Sequence, residues 1–175
     1  MIESAPLPRS LEDELAVSYV ALAEKLGTPR PSVAVRSSGT GEDTVEASFA
    51  GQAETYLYVE GHESLALHTR RCWSSLFTAQ AISYRAQMGF PMDSASISVG
   101  VQSMVDSRVA GVMFTLSPVS GDRSKIVIEA SWGLGLSVVG GEVTPDDYWV
   151  DKVTLGILRR SICHKLVMYV PDAGA

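Results

Sequence analysis

Short runs of alternating apolar and polar residues, separated by turns rich in glycine, proline and aspartate, are the feature that most restricts the fold of this chain. Such alternation is typical of β-strands with one buried face, and short connections favour antiparallel pairing. The strands at 97–105 and 109–116 are expected to form a hairpin, and the last two predicted strands are expected to pair with each other. Strands are predicted at residues 33–35, 52–59, 97–105, 109–116, 125–130, 148–153 and 154–161.

Two other segments repeat apolar residues with helical spacing. The first helix is predicted to start with Ser10 as its N-cap and to stop at Gly27. The second is predicted over residues 63–88 and is closed by Gly89. Both apolar stripes are of the kind that packs on a core. Because strands outnumber helices and their connections are short, the predicted fold class is α+β, a mainly antiparallel sheet with two packing helices.

The composition restricts the classes of partner. With 20 acidic and 14 basic residues, the chain has a formal net charge of −6, whereas a non-specific binder of nucleic acid or of an anionic membrane needs a basic face. We therefore expect no nucleic-acid partner and no membrane partner. No apolar run is long enough to span a bilayer and no signal peptide is visible, so a cytoplasmic location is predicted. Cys72 and Cys163 are expected to be free thiols, with a single disulfide as the alternative.

The stretch at residues 33–52 contains the strongest functional pattern. A short apolar strand ends on Arg36, and hydroxyls, glycines and two carboxylates follow it before the next apolar residue, Val45. An arginine beside a Ser/Thr/Gly loop can hold a phosphate, because the guanidinium and the loop N–H groups donate to the same anion. The alternative is structural, with Arg36 paired to Glu42 or Asp43 in an ordinary polar loop. The residue pattern alone leaves both interpretations open.

A second pattern lies at residues 101–105, where one polar side chain, Gln102, interrupts an apolar run. Such a segment can offer backbone N–H and C=O groups to an adenine edge while Met104 packs on the ring. The alternative is an ordinary edge strand. None of the three histidines lies near a serine-nucleophile motif or at metal-ligand spacing, so neither hydrolytic catalysis nor a His/Cys metal site is predicted.

Seven segments taken together resemble one protein family. Their residue types, order and spacing are similar to those of the ATP-binding domain of phosphoenolpyruvate synthase, pyruvate phosphate dikinase and rifampin phosphotransferase. The resemblance covers most of residues 30–153. The segments are 33–43 (VAVRSSGTGED), 47–52 (ASFAGQ), 55–57 (TYL), 101–105 (VQSMV), 110–115 (AGVMFT), 129–135 (EASWGLG) and 143–146 (VTPD).

This resemblance implies an ATP-grasp fold that holds ATP between two lobes. In the family, the β-phosphoryl group of ATP passes to a histidine on a separate mobile domain, and then to pyruvate, an antibiotic hydroxyl, a phenol or another acceptor. By position, Arg36 matches the phosphate-binding arginine and is the expected catalytic residue, and Thr55 matches a threonine that faces the phosphates. Gln102, Met104 and Val105 match the segment that receives the adenine.

The resemblance also implies what other parts of such a protein supply. Family members carry a Gly-Gly-Lys lysine before the matched region, and Asp-Ile-Glu and Gln-x-Arg-Pro segments after it, and residues 1–175 contain none of these. The implied cofactors are ATP and Mg²⁺, with the Mg²⁺ ligands outside this chain, and the implied partners are the phosphohistidine and acceptor-binding domains. The chain is expected to be a single partial nucleotide-binding domain of a phosphotransferase, inactive in isolation. Leu136 and Gly140 depart from the family pattern, so a non-catalytic nucleotide-binding or interaction module is the alternative.

Overall fold

The computed structural model describes residues 2–39, 54–89 and 96–171. The chain divides into two compact units, unit 1 (Met1–Met104) and unit 2 (Val105–Ala175). Each unit contains its own antiparallel sheet. The predicted α+β class is confirmed. That the whole chain acts as one nucleotide-binding domain stays a prediction.

Unit 1 combines a three-stranded sheet with helices that pack on one side of it. The sheet order is β2-β1-β3, so β1 is the central strand and is antiparallel to both neighbours. In chain order the elements are α1 (Arg9–Leu26), β1 (Val33–Gly39), β2 (Thr55–Val59), α2 (His62–Ser74), a 3₁₀ turn (Ser75–Phe77), α3 (Ala79–Gln87) and β3 (Ile97–Ser103).

The core of unit 1 lies against one face of β1. Val33 and Val35 are fully buried there, in a cluster with Leu65 and Cys72 of α2. Fully burying a valine or leucine side chain contributes about 1.5–3 kcal/mol. Tyr19 of α1 belongs to the same cluster, and its hydroxyl donates to the Pro31 carbonyl at 2.7 Å and accepts from the Gly61 N–H at 2.9 Å. The position of β1 is therefore fixed from beneath by two helices.

The helical segments differ from the prediction in two places, within the second predicted helix and at the start of the first. The single helix predicted over residues 63–88 is wrong, because the chain turns into a 3₁₀ segment and Thr78 is extended (φ −66°, ψ 151°). The Thr78 hydroxyl accepts the Ala81 N–H at 3.2 Å and so starts α3 as its N-cap. The predicted cap at Ser10 is also wrong, since α1 begins at Arg9 and its N-cap, Pro8, has no side-chain hydrogen bond to the helix.

Unit 2 contains a four-stranded antiparallel meander and one short helix. Its strands pair in chain order, so the predicted pairing of the last two is confirmed. The hairpin predicted from residues 97–105 and 109–116 is wrong, because β3 pairs with β1 whereas β4 pairs with β5. The elements are β4 (Val109–Phe114), β5 (Lys125–Trp132), α4 (Leu136–Val139), β6 (Asp146–Asp151) and β7 (Ile157–Ser161).

Two further observations concern the chain as a whole. Within the described ranges, every helix is too short or too polar to cross a membrane. Cys72 and Cys163 are both free thiols.

Candidate functional site

Arg36 lies within a strand rather than at its end. β1 continues through Gly39, beyond the predicted strand at 33–35, and its burial alternates along its second half. Because side chains of successive strand residues point to opposite faces, the buried valines define a covered face against the helices. Arg36 therefore belongs to the other face, where it is exposed to solvent.

Three of the predicted site residues share this second face of the unit 1 sheet. Arg36 is directly opposite Thr55 in the β1–β2 register, and the Cβ atoms of such cross-strand neighbours are about 4.5–5.5 Å apart. Gln102 is opposite Ala34, which is two residues from Arg36 and so on the same face. We call this surface the open face; it consists of Ala34, Arg36, Ser38, Thr55, Ser98, Gly100 and Gln102, of which Ala34 is buried and the other six are exposed.

The open face presents hydrogen-bond donors around a cation. Arg36, Thr55 and Gln102 are all exposed and contribute a guanidinium, a hydroxyl and an amide. No ion pair in the described part of the chain involves Arg36. Such a set of donors fits a phosphate anion. The structural alternative stays open, because Glu42 and Asp43 lie outside the described residues.

The end of β3 differs in detail from the predicted adenine segment. The Met104 N–H donates to the Ser32 carbonyl at 2.9 Å and is therefore turned toward β1. Backbone groups of successive strand residues point to opposite edges, so Ser103 turns its N–H and C=O away from β1. Among the described strands β3 pairs only with β1, which leaves these groups of Ser103 at a free edge. Alternation of residue types could not identify Ser103, since it does not show which backbone groups point outward.

Met104 and Val105 stand at the division between the two units. Met104 is the last residue of unit 1 and is half-buried, whereas Val105 is the first of unit 2 and is exposed. The structure thus brings Arg36, Thr55 and Gln102 to one surface. The site roles of all five residues, Met104 and Val105 included, stay predictions.

A buried thiol lies beneath the open face, on the covered side of β1. Burial, assisted by the nearby Glu54 carboxylate, raises the pKa of Cys72 to about 11. The thiol is therefore protonated at neutral pH, and a protonated, buried thiol is a poor nucleophile. Cys72 belongs to the core that supports the site.

The described residues do not fit a Mg²⁺ site. Within 2–39, 54–89 and 96–171, no group of three or more His, Cys, Asp or Glu side chains could hold a metal ion. Mg²⁺ prefers oxygen ligands, carboxylates and phosphates above all, whereas Arg36 brings a positive charge to the open face. No step of the chemistry is therefore assigned to a metal held by these residues.

Comparisons with known proteins place the chain in a family. All of residues 1–175 match the family described as "Pyruvate phosphate dikinase, AMP/ATP-binding domain". A probable phosphoenolpyruvate synthase of Staphylothermus marinus is 53% identical over 98% of this chain. The corresponding probable enzyme of Pyrococcus horikoshii is 47% identical over 99%, and the phosphoenolpyruvate synthase of Helicobacter pylori is 44% identical over 93%.

The chain spans only part of these relatives, 21% of the first two proteins and 20% of the third. The family match, in contrast, extends over the whole chain, including both units. The chain belongs to the pyruvate phosphate dikinase AMP/ATP-binding domain family.

Proposed function

We propose that this chain is the ATP-binding part of a phosphotransferase of the phosphoenolpyruvate synthase or pyruvate phosphate dikinase type. In such a protein the β-phosphoryl group of ATP passes to a histidine on another domain, and from there to an acceptor. The observation that carries the proposal is the direct pairing of Arg36 with Thr55 on the open face, in a chain whose family is described by AMP and ATP binding.

Arg36 is assigned to the phosphates of ATP. Its guanidinium can donate two parallel hydrogen bonds to phosphate oxygens, and Thr55 adds a hydroxyl donor from the adjacent strand. Phosphoryl transfer is catalysed mainly by positioning and by stabilising the charge on the transferred group. Arg36 is therefore the proposed catalytic residue of this chain, and Thr55 is proposed to bind the nucleotide with it.

The β-phosphoryl group of ATP lies between the α- and γ-phosphates, so its transfer to a histidine also determines what becomes of these two groups. Its transfer breaks its bonds to both neighbours and forms one bond from the β-phosphorus to a histidine nitrogen. AMP is left, together with the γ-phosphoryl group, which water can accept. A domain that binds both AMP and ATP, as the family description states, suits this reaction.

The end of β3 is assigned to the adenine. Gln102, Met104 and Val105 have this role by their positions in the family pattern. The outward-facing backbone groups of Ser103 support the same location, since one N–H and one C=O are what the hydrogen-bonding edge of adenine requires. Gln102 also shares the open face with Arg36, so the base end and the phosphate end of one nucleotide are assigned to one surface.

Other parts of the reaction are assigned outside the described residues. The relatives are several times longer than this chain, which supports placing the phosphohistidine and acceptor-binding domains elsewhere in the protein. Mg²⁺ is proposed as a partner of the bound ATP, with its ligands also elsewhere. A cytoplasmic location is proposed together with this function, because ATP is the substrate.

Titration calorimetry of the full-length protein with MgATP tests the assignment of Arg36. Arg36→Ala is expected to raise the dissociation constant at least tenfold, because a hydrogen bond to a charged group contributes about 1.5–3 kcal/mol. Since Arg36 is exposed, the melting temperature should change by no more than about 2 °C. Arg36→Lys should give an intermediate affinity, because it keeps the charge and loses the forked geometry.

The matched control is Arg9→Ala, which removes another exposed arginine of unit 1, at the start of α1. This variant should bind MgATP as the wild type does. An Arg36→Ala variant with unchanged affinity would contradict the proposal. A loss of stability that accounts for the loss of affinity would instead make Arg36 a structural residue.

A further inference from the structure

We infer that Ser37 is a positioning residue of the nucleotide site, which holds Thr55 beside Arg36 by fixing the backbone of Glu54. The inference rests on the proposed function, because it assigns a role in the same site. It concerns a side chain on the covered face, where no contact with a nucleotide on the open face is made.

Ser37 is a polar residue on the face of β1 that packs against the core. It follows the buried valines Val33 and Val35 in the alternation, and only 6% of its surface is exposed. A buried hydroxyl without a hydrogen bond costs about 1–3 kcal/mol. The Ser37 hydroxyl avoids this cost because it forms hydrogen bonds with the backbone of Glu54.

Three hydrogen bonds join Ser37 to Glu54. The Ser37 N–H donates to the Glu54 carbonyl at 2.9 Å. The Ser37 hydroxyl accepts the Glu54 N–H at 2.7 Å and donates to the Glu54 carbonyl at 3.3 Å. In a regular hydrogen-bonded antiparallel pair, the Glu54 N–H would donate to the backbone carbonyl of Ser37. Here the side-chain hydroxyl of Ser37 accepts the Glu54 N–H.

Cys72 supports the same backbone group from beneath. Its sulfur lies 3.9 Å from the Glu54 carbonyl oxygen and 4.0 Å from that of Val35, and the protonated thiol can donate to either. The Glu54 carbonyl is thus held by β1 and by α2. Glu54 is otherwise exposed to solvent. Its contacts with Ser37 are made by its backbone N–H and carbonyl.

The consequence falls on Thr55, the next residue. Thr55 is the first residue of β2, directly after this anchor, and is the register partner of Arg36. Among the described residues of the β1–β2 ladder, the contact of Ser37 with Glu54 is the one directly before Thr55 in β2. Loss of the Ser37 hydroxyl would remove two of the three hydrogen bonds, including the only one that the Glu54 N–H makes to Ser37, and would allow Thr55 to shift relative to Arg36.

Calorimetric titration of the full-length protein with MgATP tests this role through the Ser37→Ala variant. We expect the dissociation constant to rise about tenfold, and Ser37→Thr, which keeps the hydroxyl, to recover most of the affinity. The matched control is Ser75→Ala, because Ser75 is another buried serine of unit 1 whose hydroxyl donates to a backbone carbonyl, that of Cys72, at 2.7 Å. It should lower the melting temperature to a similar extent and leave the affinity within twofold of wild type.

A double-mutant cycle with Thr55→Val separates positioning from general loss of stability. If Ser37 acts through Thr55, Ser37→Ala should cost less affinity when Thr55 is already replaced by valine. We expect the change in the logarithm of the dissociation constant in the Thr55→Val background to be less than half of the change in wild type. Additive effects, or an affinity loss in Ser37→Ala no greater than in Ser75→Ala, would overturn the inference. Failure of the wild-type protein to bind MgATP would overturn the proposed function itself.

Discussion

At the scale of single residues, the buried thiol of Cys72 gives the stability of unit 1 a defined pH dependence. Its pKa is raised from an ordinary value of 9.0 to about 11, so the folded protein holds the thiol proton more tightly than the unfolded chain does. The resulting stabilisation is fully present below pH 9 and is lost as the pH rises through 11. Two pKa units correspond to on the order of 3 kcal/mol.

Urea unfolding at pH 8, 9, 10 and 11 measures this dependence in wild type and in Cys72→Ala. The free energy of unfolding of wild type should fall more steeply between pH 9 and 11 than that of the variant. Comparing slopes removes the effect of the cavity that the variant creates. Tyr56 is present in both proteins, and because its pKa is raised first by burial and then by Glu54, with Cys72 a smaller cause, most of its contribution cancels in the comparison. Identical slopes would contradict the assignment of the shift to the buried thiol.

Part of the candidate site could be predicted from residue types alone. The rest required the pairing register of β1 with its neighbouring strands. Arg36 could be singled out in the sequence because a cation beside hydroxyls and glycines is a phosphate-binding pattern. The role of Ser37 could not, because its partner Glu54 is 17 residues away and only the pairing of β1 with β2 brings them together. A serine in a strand does not show whether its hydroxyl faces solvent or the core.

At the scale of secondary-structure elements, the break between α2 and α3 depends on one side chain. Thr78→Ala removes the hydroxyl that accepts the Ala81 N–H, and loss of an N-cap of this kind costs about 1 kcal/mol. Thermal unfolding should therefore show a lower melting temperature for Thr78→Ala, and Thr78→Ser should restore it. Ser83→Ala is the matched control, because Ser83 is exposed inside α3, where alanine is the better helix former. A melting temperature as low for Ser83→Ala would contradict the capping role.

The wrong predictions of one continuous helix at 63–88 and of a hairpin at 97–116 have a common cause. Helical spacing of apolar residues continues from α2 into α3, so the pattern predicts one helix although the backbone turns at Thr78. Likewise, two strand-like runs with a short turn between them predict a hairpin, whereas β3 is the partner that covers the free edge of β1. Local patterns report which residues are buried, but the choice of pairing partner is decided by contacts distant in sequence.

At the scale of the whole molecule, the α+β class follows from the sequence and the division into units does not. Short connections predict antiparallel pairing in a single sheet; the pairing is antiparallel, but it is divided between two sheets. The division after Met104 falls within a run that reads as one continuous strand, residues 97–105. No change in composition marks it, because each unit has its own apolar strands.

The most direct test of the account is the fate of the β-phosphoryl group in the full-length protein. Wild-type protein incubated with Mg²⁺ and ATP labelled at the β-phosphate should acquire acid-labile, protein-bound label, and ATP labelled at the γ-phosphate should leave none. Arg36→Ala should retain less than a tenth of the β-label, whereas Arg9→Ala should match wild type. Binding of MgATP without any transfer of label would contradict the account and favour a non-catalytic nucleotide-binding module. Equal labelling of wild type and Arg36→Ala would contradict the role of the open face.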